Sequence, residues 1–96
     1  ASVLIMKHLT LKILGDVQGV TFRWSSREKA REFGVVGYVK NEPDGSVTVI
    51  AEGDEAILKN FLDWCKTGPR WARVDKMEEG WEEISDLSFE RFEIRF

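Results

Sequence analysis

The hydrophobic period of this chain switches from two residues to 3.6 and back, twice within 96 residues, and few folds accept that order. Residues 9–13 alternate apolar and polar, the pattern of a half-buried strand. A glycine-bearing loop, Gly15 to Thr21, follows. From Phe22 the period lengthens. Phe22, Ser26, Ala30 and Phe33 share one helical face, Arg27, Glu28, Arg31 and Glu32 point to solvent, and Gly34 stands where a left-handed cap ends the helix. Val36 to Asn41 reads as a second strand and Ser46 to Glu52 as a third, with Val47, Val49 and Ala51 on one face. Between them, Glu42-Pro43-Asp44-Gly45 is a tight turn: proline presets φ, and glycine accepts a positive φ without steric cost. Asp54 is the expected N-cap of a second helix with a buried stripe of Ile57, Leu58, Phe61, Leu62 and Cys65, and Thr67-Gly68-Pro69 stops it. Arg73 to Trp81 is expected to form a fourth strand; Val74 and Met77 differ in parity, so the pattern calls for a bulge or a shifted boundary. Phe92, Ile94 and Phe96, alternating with Glu93 and Arg95, make the last strand.

The order β-α-β-β-α-β specifies an α+β, ferredoxin-like sandwich with two helices packed on one antiparallel sheet. Residues 1–96 form a single domain, with 1–7 expected to be a flexible N-terminal extension. An apolar share of 43% and eleven aromatic residues suffice for one packed core. Seventeen acidic against fourteen basic residues leave a net charge of -3, which argues against nucleic-acid backbone binding but not against one small anion at a focused site. The single cysteine, Cys65, cannot close an internal disulfide, which suits a reducing compartment. One histidine, His8, rules out zinc sites built on a histidine pair and disfavours a histidine-based triad. The longest apolar run, Val3 to Met6, is too short to span a membrane or act as a signal peptide. A soluble, cytoplasmic monomer is expected.

Fold does not dictate function, so the chemistry must come from particular residues. The loop Gly15, Asp16, Val17, Gln18, Gly19, Val20, Thr21 and Phe22 joins a strand end to a helix start, where backbone N–H groups lack intrahelical partners and bind anions readily. Arg23 follows in the first helical turn, where a cation faces the positive end of the helix dipole. An anion shared between the amides and the guanidinium reverses that cost, and the planar fork of arginine suits phosphate. By itself this loop reads more readily as a Gly-bearing turn with a solvated arginine. Asn41, just before the Pro-Asp-Gly turn, carries an amide able to donate to one group and accept from another, and so to orient a water; alone, it reads first as a residue that satisfies backbone groups at a strand end.

Together the two segments resemble the acylphosphatase family. Gly15-x-Val17-Gln18-Gly19-Val20-x-Phe22-Arg23 is similar to its first motif, and Gly37-Tyr38-Val39-Lys40-Asn41-x-x-x-Gly45-x-Val47 followed by Gly53 to its second. Gly68-Pro69-x-x-Ala72-x-Val74 resembles the segment after its second helix, and the likeness extends from about Leu9 to Phe96. The resemblance implies metal-free, cofactor-free hydrolysis of acyl phosphates to a carboxylate and inorganic phosphate. Arg23 and the loop amides would bind the phosphoryl group, and Asn41 would position the attacking water. Asp16 stands where many members carry a basic or neutral residue, and a carboxylate beside the phosphate would weaken substrate binding.

The remaining conspicuous residues read as structural: His8 as an exposed strand-start residue, Cys65 as a small hydrophobe, Trp24, Trp64, Trp71 and Trp81 as packing. Glu78-Glu79 and Glu82-Glu83 read as solvated surface. An RNA-binding module of the same element order would need aromatic residues on the outer sheet face; Ser46, Thr48, Ile50 and Glu52 supply none on the third strand. Two further functions are compatible with the same fold: a non-catalytic phosphate-binding regulator, and a carbamoyl-phosphate-handling domain of larger hydrogenase-maturation proteins. The complete last strand at Phe96 favours the free-standing enzyme.

Overall fold

The computed structural model describes residues 5–19 and 21–96. The elements run β1 (Met6–Asp16), α1 (Phe22–Phe33), β2 (Val36–Asn41), β3 (Val47–Asp54), α2 (Glu55–Thr67), β4 (Arg73–Glu83) and β5 (Phe92–Arg95). Met6 and Lys7 thus belong to the first strand rather than to an extension, and residues 1–4 lie outside the described residues.

The five strands form one sheet in the order β4-β1-β3-β2-β5. The first four pair antiparallel, as the ferredoxin-like arrangement requires, but β5 pairs parallel to β2, so the sheet is mixed rather than antiparallel. The cause is directional. β4 runs antiparallel to β1 at one edge, and the chain then crosses to the opposite edge before turning up beside β2. Two short-range patterns, each legible in sequence, became two strands on opposite edges. The parity conflict in β4 is a bulge: Leu14 pairs with Lys76 and Gly15 with Val74, leaving Asp75 as the extra residue. The bulge lets Val74, Met77 and Trp81 all pack against the core.

Both helices cover one face. Leu9, Leu11 and Ile13 of β1, Val47, Val49 and Ala51 of β3, Val39 of β2 and Phe92 of β5 point at Phe22 and Ala30 of α1 and at Leu58, Phe61, Leu62 and Cys65 of α2. Phe61 sits edge-on to Phe92 at 5.8 Å. Ile57, expected in that stripe, is exposed instead. Gly34 caps α1 at φ 76°, as the sequence suggests. Asp54 occupies the N-cap of α2 but makes no side-chain cap bond; the amide of Glu55 donates to the carbonyl of Ile5 instead.

The opposite face is closed at one end by the β4–β5 crossing. Glu52 on β3 is buried there, accepting the amide N–H of Ser88 at 2.6 Å, with Nδ1 of His8 against its other oxygen. His8 is therefore half-buried and paired, not an exposed strand-start residue. Burial raises the pKa of Glu52, but the bonds from His8 and Ser88 outweigh it and hold the carboxyl below its ordinary value. A carboxyl whose folded pKa is depressed adds stability above its unfolded pKa and loses it as pH falls through the folded one. Thermal melts should therefore show the midpoint dropping as pH falls below about 4.3, the ordinary value for glutamate. Glu52→Gln should flatten that acid limb and lower stability at pH 7 by about 1–3 kcal/mol.

Candidate active site

The register of three strands builds the site. Val47 of β3 pairs with Ile13 of β1 on one side and with Asn41 of β2 on the other. The chain leaving β1 and the last residue of β2 therefore emerge at the same end of the sheet, two strand spacings apart, roughly 10 Å. β5, parallel to β2, ends there too, since Lys40 pairs with Arg95. Between them lies a cleft of about 160 Å³. Its walls are Val17, Gly19, Thr21 and Phe22 from the loop and helix start, Arg23 and Trp24 from the first turn of α1, Asn41, and Ile94 and Phe96. Drug-sized ligands occupy roughly 300–1,000 Å³, so this volume suits a small anion with part of what it is attached to.

Arg23 is half-buried in the first helical turn, where no acidic residue stands. Among the described residues no carboxylate pairs with it. Its guanidinium carbon lies 4.7 Å from the centre of the Phe96 ring, and Nη1 donates only a long bond, 3.5 Å, to the carbonyl of Arg95. The helix dipole and this cation thus converge on the cleft with no described negative group to balance them. Asn41 contributes the second unmet group: its Oδ1 is buried and has no hydrogen-bond partner among the described residues. A buried orphan acceptor costs about 1–3 kcal/mol and persists where a water or ligand completes it.

The loop is held by its own chemistry. Nε2 of Gln18 donates to the carbonyl of Glu42 at 2.8 Å and to that of Ser46 at 2.9 Å, tying the loop to the two ends of the β2–β3 turn beside Asn41. That turn is itself braced. Oδ1 of Asp44 accepts from both the amide and the hydroxyl of Ser46, and with Lys12 nearby these bonds hold its pKa down at about 2. Gly19 takes a φ of 75° and Thr21 one of 62°. For a β-branched residue such as Thr21 the left-handed region carries strain of about 1–3 kcal/mol, which the surrounding contacts must hold in place.

The loop residues divide into two groups. Val17, Gly19, Thr21 and Phe22 line the cleft; Gly15, Asp16 and Gln18 do not, and Val20 lies outside the described residues. Gly15 is needed for close approach, since a Cβ there would stand 2.1 Å from the carbonyl oxygen of Arg73. Asp16 is exposed, pairs in register with Arg73 and is near enough to help raise that arginine's pKa, and it is not among the residues that line the cleft. Trp24, Ile94 and Phe96 are cleft residues that sequence patterning assigns to packing or to a strand. Trp24 is 56% exposed and Phe96 93%, and Trp71 is also exposed, whereas Trp64 and Trp81 do pack against the core. The position of Trp24 directly after Arg23 is the one signal that could have marked it. Phe96 reaches the cleft only through the parallel pairing of β5, which no local pattern encodes. Among the described residues there is no cluster of three or more His, Cys, Asp or Glu able to hold a metal ion, and no helix is long and apolar enough to cross a membrane.

Comparison with known proteins converges on one family. The family model for acylphosphatase matches residues 9–94. The acylphosphatase of Caldanaerobacter subterraneus subsp. tengcongensis is 52% identical over 77 residues, covering 80% of this chain and 86% of that protein. The crystal structure of acylphosphatase from Bacillus subtilis superposes with a TM-score of 0.88 at 31% identity, covering 94% of this chain and 99% of that one. HypF of Thermococcus kodakarensis also superposes, with a TM-score of 0.74 at 35% identity, over 92% of this chain but only 11% of its own length.

Two substitutions test the geometry. Gln18→Ala removes both bonds between the loop and the turn and should cost about 1–2 kcal/mol in a urea melt. Asp16→Asn should leave KM for an acyl phosphate within about twofold of wild type, because a solvent-exposed charge outside the cleft lining interacts weakly with an anion inside it.

Proposed function

Since the chain belongs to the acylphosphatase family, we propose that it hydrolyses acyl phosphates, with Arg23 and the loop amides holding the phosphoryl group and Asn41 orienting the attacking water. The observation that carries this reading is the pairing of two unmet groups across one small cleft: a cation without an acid partner and a buried amide oxygen without a donor, both judged among the described residues. A phosphoryl group completes the first, and a water molecule completes the second by donating one O–H to Oδ1 of Asn41.

The reaction asks little more of the protein. Water oxygen bonds to phosphorus as the bond from phosphorus to the acyl oxygen breaks, and the bonding pair leaves with the carboxylate. Both protons of the water end on inorganic phosphate, so the balance closes without a side-chain base, which the neutral amide of Asn41 could not be. The carboxylate is a good leaving group and needs no strong general acid. What remains is positioning and the stabilisation of charge on the phosphoryl oxygens. Arg23, the start of α1 and the strained turn at Thr21 supply a fixed positive field for that purpose, and no metal enters the scheme.

The test is hydrolysis of benzoyl phosphate in EDTA, with circular dichroism confirming that each variant is folded. Arg23→Ala should lower kcat/KM by about a thousandfold or more, and Arg23→Lys should recover little, because a point charge lacks the planar fork. Asn41→Ala should lower kcat by about 10²–10³ while changing KM little, since the water it orients matters in the transition state more than in substrate binding. A folded wild type that bound phosphate without turning over would reduce the site to a phosphate-binding regulator.

A further inference from the structure

Arg23 and Asn41 account for only part of the cleft. Its lining also includes the apolar side chains of Ile94, Trp24 and Phe96. Phe22, Phe61, Trp64 and Phe92 pack together in the core, and Tyr38 packs with Phe89 on the opposite sheet face. Trp71 is exposed as well, but it does not line the cleft. Trp24 and Phe96 remain 56% and 93% exposed although each carries a large apolar surface. Large exposed aromatic rings at the rim of a cleft are an unmet group of a second kind, and they mark contact surfaces.

Their position sets what they can touch. Trp24 follows Arg23 in the first turn of α1, and the Phe96 ring lies 4.7 Å from the Arg23 guanidinium carbon, so both flank the cation that receives the phosphoryl group. An acyl phosphate bound by its phosphoryl end must carry its acyl group out past the lining of the cleft, to which both rings belong. Trp24 is also a wall of an adjoining cleft of about 270 Å³, lined by Trp64 and Pro69 and by the charged Glu28, Lys29 and Glu32.

We propose that Trp24 and Phe96 form an apolar platform for the acyl group, making this chain selective for acyl phosphates with an aromatic or bulky apolar acyl part over those with a small one. The proposal rests on the hydrolase reading above. It deepens that reading by assigning the half of the substrate that Arg23 and Asn41 do not touch. Burial of a ring against these surfaces contributes to kcat/KM for benzoyl phosphate and has no counterpart for acetyl phosphate.

The experiment measures kcat/KM for benzoyl and for acetyl phosphate in wild type, Trp24→Ala, Phe96→Ala, the double variant and Trp24→Phe. The readout is the benzoyl-to-acetyl ratio in each variant relative to wild type, in which the intrinsic reactivities of the two substrates cancel. So does any change in how Phe96 seats Arg23, because that would affect both substrates alike. The expected result is a ratio lower by about fivefold to tenfold in each alanine variant and lower still in the double variant, with Trp24→Phe retaining most of it. Ratios within twofold of wild type in all variants, or a proportional fall on both substrates, would overturn the platform while leaving the hydrolase reading intact. If wild type turned over neither substrate, the hydrolase reading would fall, and the platform with it.

Discussion

Everything at the cleft depends on one row of backbone pairing, in which Val47 holds Ile13 on one side and Asn41 on the other. A slip of one residue in either ladder would turn Leu9, Leu11 and Ile13, or Val39, out of the core, so the same burial that stabilises the sheet fixes the register. Gly37 tightens that constraint. A Cβ at this position would lie 1.9 Å from the carbonyl oxygen of Ile50, so β2 and β3 approach at a distance only glycine permits. The core therefore determines that the loop after β1 and the amide of Asn41 face one another. Gln18 and Asp44 then hold the two connecting segments in place.

The site is a set of incomplete groups on a complete scaffold. Among the described residues, the buried polar side chains of the scaffold are satisfied: Ser26 donates to the carbonyl of Phe22, and Glu52 accepts from Ser88 with His8 against its other oxygen. At the cleft, by contrast, the described residues include a cation without an acid partner, an orphan amide oxygen and a β-branched residue in the left-handed region. Each lowers stability, and each is explained if a phosphoryl group and a water complete the arrangement. Cys65 illustrates the opposite case. It is buried among apolar neighbours that push its thiol pKa well up, and it serves as packing with no reactivity.

Local patterns in the sequence carried most of this. The helices, the hairpin, the Gly34 cap and the bulge in β4 all follow from period, parity and turn residues. Arg23 and Asn41 stood out as chemistry, but their meeting depended on the resemblance between two motifs and a known family, because nothing local predicts that residues eighteen positions apart converge. What patterning missed is long-range. The parallel pairing of β5 with β2 sets the strand edge and delivers Phe96 to the cleft. The crossing that buries Glu52 converts an expected surface histidine into its partner. Trp24 looked like core because a tryptophan on a helix next to buried positions usually is.

If the loop and Arg23 hold the phosphoryl group and Asn41 holds the attacking water, the oxygen that the water contributes to inorganic phosphate lies at Asn41, and phosphate must engage all three together. The most direct test is a titration of ¹⁵N-labelled protein with inorganic phosphate, followed by amide chemical shifts. A single pocket gives saturable shifts concentrated in the loop amides and the start of α1, together with the side-chain NH₂ of Asn41, and their loss in Arg23→Ala. Shifts that scatter over the surface, or that leave the Asn41 side chain unmoved while the loop responds, would contradict it.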